Sequence, residues 1–265
     1  MSTSSRKTAV ITGASSGIGA VYADRFAQRG YDLVLVARRN ERLQALATTI
    51  ATTHGVRVTS LVADLATDEG QASVAEVLTT NPAVSVLVNN AGIARLAPIA
   101  GGALQDSIAQ IALNITALTR LAHAALPGMK ARNEGLIINV SSALALHSLP
   151  ISAVYSGTKA FVLSFSRGLQ QELLGTAVTV QVVLPAATAT EVWDQSGVPL
   201  ATLNPDTVMS TDAMVDAALS ALDNGESMTL PAVADIAVIE RFEAARAALF
   251  SSTNTGKVAP RLLPA

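Results

Sequence analysis

Apolar positions in this chain fall into two kinds of run that take turns. Short continuous stretches rich in Val, Ile and Leu lie at 8–12, 32–36, 56–62, 85–89, 136–140, 178–184 and 227–230. Continuous rather than alternating apolarity predicts strands covered on both faces, as in a parallel sheet. Between them lie segments of helical length, at 18–29, 41–53, 68–79, 104–131, 155–174 and 212–223. The repeated strand–helix rhythm predicts an α/β fold, a single doubly wound Rossmann-type domain over 1–265 with a seven-stranded parallel sheet and helices on both faces.

Two stretches interrupt the rhythm. Residues 186–210 are rich in Ala, Thr and Pro and hold the only tryptophan, Trp193. A connection this long in a compact domain reads as a binding loop, here a substrate lid. Residues 235–250 read as an amphipathic helix whose Ile239, Phe242 and Leu249 share a packing face. The tail from Ser251 is expected to be loosely held.

Composition narrows the chemistry. The 265 residues include no cysteine, which removes disulfides, thiolate nucleophiles and cysteine-ligated metals. Eighteen basic against twenty acidic residues give a net charge of −2, which is no footprint of nucleic-acid binding. No apolar run reaches the ~18 residues of a membrane-spanning helix. The segment Met1 to Lys7 leads into a short strand and lacks the core of a signal peptide. The expectation is a cytoplasmic protein without membrane or nucleic-acid partners. His54, His123 and His147 are isolated in sequence, so no metal site is expected.

Thr12-Gly13-Ala14-Ser15-Ser16-Gly17-Ile18-Gly19 follows the first strand and opens a helix. Glycines let the backbone approach a ligand, and the helix N-terminus offers N–H groups and a positive dipole end to a pyrophosphate. A flexible Ser/Gly loop is the plainer alternative. The second strand ends in Ala37-Arg38-Arg39, with Arg38 nineteen residues after Gly19. An acidic residue there would bind the ribose 2′-hydroxyl of NAD, whereas arginine accommodates the 2′-phosphate of NADP. NADP(H) is therefore favoured and NAD(H) kept open; two solvated arginines starting a helix are the alternative. Asp64, ending the third strand beside Leu65, suits either the adenine amino group or a helix cap.

Tyr155 and Lys159 stand at i, i+4, on one face of a predicted helix. A cation beside a phenol favours the phenolate and is expected to lower the tyrosine pKa toward neutrality. Ser142 lies thirteen residues upstream at the end of the fifth strand, where open α/β sheets place ligands. Its hydroxyl suits a carbonyl or alkoxide oxygen; Ser141 is the neighbouring alternative.

Together, Thr12 to Gly19, Asn89-Asn90-Ala91-Gly92, Asn114, Ser142 and Tyr155-Ser156-Gly157-Thr158-Lys159 resemble the short-chain dehydrogenase/reductase family of about 250 residues, over residues 8 to about 190. The resemblance implies that Tyr155 is general acid in reduction and base in oxidation. It implies that Lys159 lowers the Tyr155 pKa and binds the nicotinamide ribose, and that Ser142 polarises the carbonyl. Asn114 would hold a water in a proton relay; a buried amide with ordinary structural partners is the alternative. Gly13, Ser15, Ser16, Gly17, Ile18, Gly19, Arg38, Arg39, Asp64, Leu65, Asn90, Ala91 and Gly92 would contact the dinucleotide, with Pro185, Thr188 and Thr190 at its nicotinamide end. The chain departs from the family pattern in Pro185-Ala186 instead of Pro-Gly, and in Thr188 where Val or Ile is common.

Leu96, Leu144, Leu146, Leu149 and Val154, with Val192, Trp193 and Met209 from the lid, are candidate pocket residues, Leu144 and Trp193 foremost; each also suits the core. They suggest an apolar carbonyl or alcohol substrate. The helices at 104–126 and 155–174 are apolar nearly all round, which predicts burial on every side and a second subunit, in line with the family's homodimers and homotetramers. Three readings follow: an NADP(H)-dependent carbonyl reductase, an NAD-dependent alcohol dehydrogenase of the same family, and a non-catalytic dinucleotide sensor.

Overall fold

Alternate strand residues feed two different cores, which explains why the strands read as unbroken apolar runs. Ala9, Ile11, Leu33, Leu35, Val86, Val88, Ile138 and Val140 belong to one apolar cluster, and Val10, Val34, Val36, Leu87 and Ile137 to the other. The computed structural model describes residues 6–263; the reading of Met1–Ser5 and the end of the tail lie outside the described residues. The chain forms two compact units, Met1–Pro231 and Ala232–Ala265.

The first unit is built on strands β1 (Thr8–Thr12), β2 (Asp32–Ala37), β3 (Val58–Val62), β4 (Val84–Asn89), β5 (Gly135–Val140), β6 (Val178–Val183) and β7 (Met228–Thr229). They pair in parallel in the order β3-β2-β1-β4-β5-β6-β7. Helices α1 (Gly17–Gln28), α2 (Asn40–His54) and α7 (Thr211–Asp223) cover one face, through Tyr22, Phe26, Leu43, Ile50 and Met214. Helices α3 (Asp68–Thr80), α5 (Leu118–Arg132) and α6 (Ala153–Glu172) cover the other, through Val74, Leu121, Met129 and Leu169. The strand order reverses at β1/β4, which opens a crevice beyond the carboxyl ends of these two strands.

The structure corrects several expectations. Residues 104–131 are not one helix: α4 (Leu104–Ile111) passes into a π-helical segment, Ala112–Ala117, before α5. A π turn inserts an extra residue into the helical ladder, and Asn114, whose amide bonds to a loop, sits inside it. Strand β3 is an edge strand with partly exposed residues throughout, and it begins at Val58 rather than 56 because only 58–62 pair with β2. Strand β7 shrinks to two residues. Helix α6 begins at Ala153, which puts Tyr155 in its first turn. Burial on every side fails for α4, where Leu104, Ile108 and Ile111 are exposed, and for α6 at Phe161. No helix among the described residues is long and apolar enough to cross a membrane.

The second unit holds α8 (Ile236–Ser251), whose N-terminus is capped by Asp235, accepting from the Ala237 N–H at 3.0 Å. None of its residues is buried, and Phe242 and Leu249 of the predicted packing face are exposed.

Candidate active site

Thr12, the last residue of β1, joins the two strands that flank the crevice. Its Oγ1 donates to the Val88 carbonyl (3.1 Å) and accepts from the N–H groups of Asn90 and Ala91 (3.0 Å each). Asn90 returns a bond from Nδ2 to the Thr12 carbonyl at 2.9 Å. The turn after β1 thus lies flat against the end of β4. Gly13 has φ +66°, and a Cβ there would meet Asn90 Nδ2 at 2.8 Å. Gly19 packs closely on the turn: a Cβ there would collide with the Gly13 carbonyl oxygen.

The cleft measures about 630 Å³. Gly13, Ser15, Ser16, Gly17, Ile18, Arg38, Arg39, Asp64, Leu65, Asn90, Ala91 and Gly92 line one end, and Ser142, Leu144, Tyr155, Lys159, Pro185, Thr188, Thr190 and Trp193 the other. Asn114 does not line it, and Leu146, Val154 and Met209 are also outside it; Met209 packs against the core.

A nicotinamide dinucleotide fits the first end on the structure's own evidence. Ser16 precedes α1 in extended conformation and makes no capping bond, so the helix start is left without a side-chain acceptor. Its Oγ instead accepts from Arg39 Nη2 at 2.7 Å. Arg39 also donates to Ser15 Oγ from Nε (3.2 Å) and Nη2 (3.0 Å), and Arg38 Nη1 lies 3.9 Å from Asp64. Uncapped N–H groups beside two guanidinium groups suit a phosphorylated ligand.

At the other end, the hydroxyl groups of Ser142 and Tyr155 line the cleft together. The Ser142 Oγ accepts from the Leu144 N–H at 3.1 Å, which fixes its rotamer. Ser141 is excluded as the alternative, since its Oγ donates to the Lys159 carbonyl at 2.7 Å. Lys159 Nζ is buried, donates to the Val140 carbonyl at 3.0 Å and stands 5.7 Å from the centre of the Tyr155 ring. Burial lowers its pKa to about 8. Burial raises the Tyr155 pKa, and the Ser142 hydroxyl offsets only part of that rise. Burial is the largest influence on the phenol and acts upward, opposite to the lowering expected from Lys159.

Asn114 is held on all sides. Its Oδ1 accepts from Ile93 N–H (3.0 Å), and its Nδ2 donates to the Ile93 carbonyl (2.9 Å) and Thr158 Oγ1 (3.1 Å). It stands next to Lys159 across Gly92, where a Cβ would lie 3.1 Å from Asn114 Oδ1 and 3.5 Å from Lys159 Nζ. Its side chain ties the loop after β4 to α6.

Segment 186–210 is anchored at both ends. Ala189 N–H donates to the Met209 carbonyl and Met209 N–H to the Ala187 carbonyl, each at 2.9 Å. Trp193 Nε1 donates to the Thr188 carbonyl at 2.8 Å, and Thr188 Oγ1 to the Ala186 carbonyl at 3.2 Å. Thr188 thus turns its hydroxyl onto its own backbone. Two further residues of the cleft are held by partners that the sequence reading did not foresee. Arg95 donates to the Gln195 carbonyl and Oε1, both at 2.7 Å, and its Nε lies 3.5 Å from Asp106. Glu191 pairs with Arg39 and Arg42, whose bonds, Arg39 first, hold its carboxyl below the usual range. Residues far apart in sequence with no motif spacing gave no signal for these pairs.

Known proteins are similar to this chain. The family model described as short chain dehydrogenase matches residues 7–198. Human 17-beta-hydroxysteroid dehydrogenase type 3 is 39% identical over 184 residues, 69% of this chain and 59% of that protein, so the match spans little more than half of its length. A short-chain dehydrogenase from Sphingobium yanoikuyae, solved in complex with NADPH, is 42% identical with a TM-score of 0.93, covering 97% of this chain and all of that one. The bulky-bulky ketone specific alcohol dehydrogenase from Comamonas testosteroni is 36% identical with a TM-score of 0.89, covering 97% of this chain and 99% of that one. With its sheet order, its glycine turn and its Ser142, Tyr155 and Lys159 in one cleft, the chain belongs to the short-chain dehydrogenase family.

Proposed function

We propose that this protein is an NADP(H)-dependent oxidoreductase that interconverts a carbonyl and a secondary alcohol on a bulky, predominantly apolar small molecule. The observation that carries the reading is the Ser142–Tyr155 hydroxyl pair beside buried Lys159, in the same cleft as Arg38, Arg39 and the uncapped start of α1. A reduced nicotinamide, when bound, supplies the hydride that the carbonyl carbon accepts.

The chain's own residues do the rest. The turn from Gly13 to Ile18 holds the phosphates, and Arg38 and Arg39 hold the 2′-phosphate. Ser142 donates a hydrogen bond to the carbonyl oxygen and orients it toward Tyr155. The raised pKa keeps Tyr155 protonated at neutral pH, so its hydroxyl is the proton donor for the alkoxide that forms on reduction. Lys159 is mostly an ammonium at neutral pH, and its positive charge stabilises the phenolate left after transfer. In oxidation the Tyr155 phenolate, stabilised by Lys159, takes the proton of the alcohol. Asn114 positions the loop at Gly92 and, through Thr158, the turn that carries Tyr155 and Lys159.

Leu96, Leu144, Leu149, Val192, Trp193 and Leu203 give the substrate end apolar walls. Arg95, which also lines the cleft, is already engaged by Gln195 and Asp106, which argues against a carboxylate or phosphate substrate. The substrate named for the Comamonas relative supports a ketone with two large substituents. NAD(H) in place of NADP(H) is the second reading, since Arg38 and Arg39 each already stand beside a carboxylate, Asp64 and Glu191.

The test is an NADPH-oxidation screen over ketones of increasing size, repeated with NADH and with Tyr155→Phe. Expected are turnover of bulky ketones with a preference for NADPH, and a loss of about 10²–10⁴-fold in Tyr155→Phe with cofactor affinity retained. Undiminished turnover in that variant would refute the assignment.

A further inference from the structure

One carboxylate in the cleft has no part in the reaction just described. Glu191 opens a 3-10 turn, Glu191–Gln195, on segment 186–210. It follows Thr190, which packs on the glycine turn: a Cβ at Gly17 would lie 3.2 Å from Thr190 Cγ2. Its two oxygens are shared between two arginines at the start of α2. Oε2 accepts from Arg39 Nη1 at 2.5 Å and Oε1 from Arg42 Nη1 at 2.6 Å. The rest of the Arg39 guanidinium holds Ser15 and Ser16. The cationic end of the cleft is thus already answered by an anion from the opposite wall.

We propose that Glu191 is a specificity-determining residue, an internal competitor for the cofactor's 2′-phosphate. It holds Arg39 and Arg42 while that phosphate is absent and yields Arg39 to it on binding. In doing so it sets how tightly and how long NADP(H) is retained relative to NAD(H). The inference rests on the NADP(H) reading above. Carboxylate and phosphate seek the same two-pronged guanidinium geometry. Arg39, Arg42 and Glu191 are each about half exposed, so the exchange of partners needs no unpacking of the core. A carboxylate left beside a bound phosphate repels it. NAD(H) presents only ribose hydroxyls at that point and has no charge with which to displace or oppose Glu191.

The experiment compares dissociation constants and release rates of NADPH and NADH for the wild type, Glu191→Gln and Glu191→Asp, by stopped-flow fluorescence. Glu191→Gln removes the charge and keeps the size. Its NADPH dissociation constant is expected to fall about three- to tenfold, through slower release, while that for NADH moves less than twofold. The gain shrinks as ionic strength rises, and Glu191→Asp, which keeps the charge, behaves like the wild type. Equal changes for both cofactors would make Glu191 a strap over the whole dinucleotide and overturn the proposal, as would weaker NADPH binding. A wild type that binds NADPH no tighter than NADH brings down the cofactor reading and the competitor with it. A wild type that prefers NADPH, with an unselective Glu191→Gln variant, brings down the competitor alone.

Discussion

Lys159 is the residue at which stability and activity pull in opposite directions. It is an ammonium in a buried place that donates to the Val140 carbonyl, and burial lowers its pKa from 10.5 to about 8. In the unfolded chain the group keeps its ordinary value, so between pH 8 and 10.5 the unfolded state binds more protons. Stability attributable to this group therefore rises with pH across that window and is flat on either side of it. The gap corresponds to about 3 kcal/mol. Denaturant titrations of the wild type and Lys159→Met at pH 7.5 and 10.5 should show the wild type gaining roughly that amount relative to the variant. A parallel pH response in the two proteins would contradict it. Over the same interval the wild type loses the ammonium that stabilises the Tyr155 phenolate, so the protein gains stability as it loses the charge its chemistry uses. Ser142 has no such conflict: it is neutral, and the Leu144 N–H holds its oxygen in place.

Among the elements, the π-helical segment Ala112–Ala117 interrupts what would otherwise be one uniform helix running from α4 into α5. It brings the Asn114 amide to both backbone groups of Ile93 and to Thr158. Removal of that side chain leaves the half-buried Ile93 N–H and carbonyl without these partners, a cost of up to about 1–3 kcal/mol for each group left unsatisfied. Asn114→Ala is expected to lower the unfolding free energy by about 2–4 kcal/mol, read from urea denaturation. A drop below about 0.5 kcal/mol would show that the loop finds other partners. A second polar file lies deeper: Asn89 Nδ2 donates to Asn139 Oδ1 (3.0 Å), and Asn139 Nδ2 to Ser166 Oγ (2.9 Å). It links β4, β5 and α6 directly beneath the catalytic end, and a buried polar chain of this kind specifies one register of strands and helix.

At the scale of the whole molecule, α4 leaves Leu104, Ile108 and Ile111 exposed at i, i+4 and i+7, one stripe along one face. Phe161 of α6 is exposed as well and stacks on Phe165. A second copy of the chain is the covering we propose for this surface. Ile108→Glu should halve or quarter the mass measured by light scattering at micromolar concentration; a wild type already monomeric there would remove the proposal. The sequence by itself determined the sheet, because residues that face two cores must be apolar at every strand position, and that pattern is local. It also determined the glycine turn, Ser142, Tyr155 and Lys159, because their spacing is dictated by one turn of helix and by the strand ends that carry them. Tertiary structure alone decided that burial moves the Tyr155 pKa upward, since desolvation depends on every group packed around the ring. It also decided that Gly19 packs on the Gly13 carbonyl, that Arg95 is already engaged, and that Glu191 reaches Arg39 and Arg42 from about 150 residues away. Contacts between side chains so distant in sequence leave no periodicity and no spacing; only the fold brings them together.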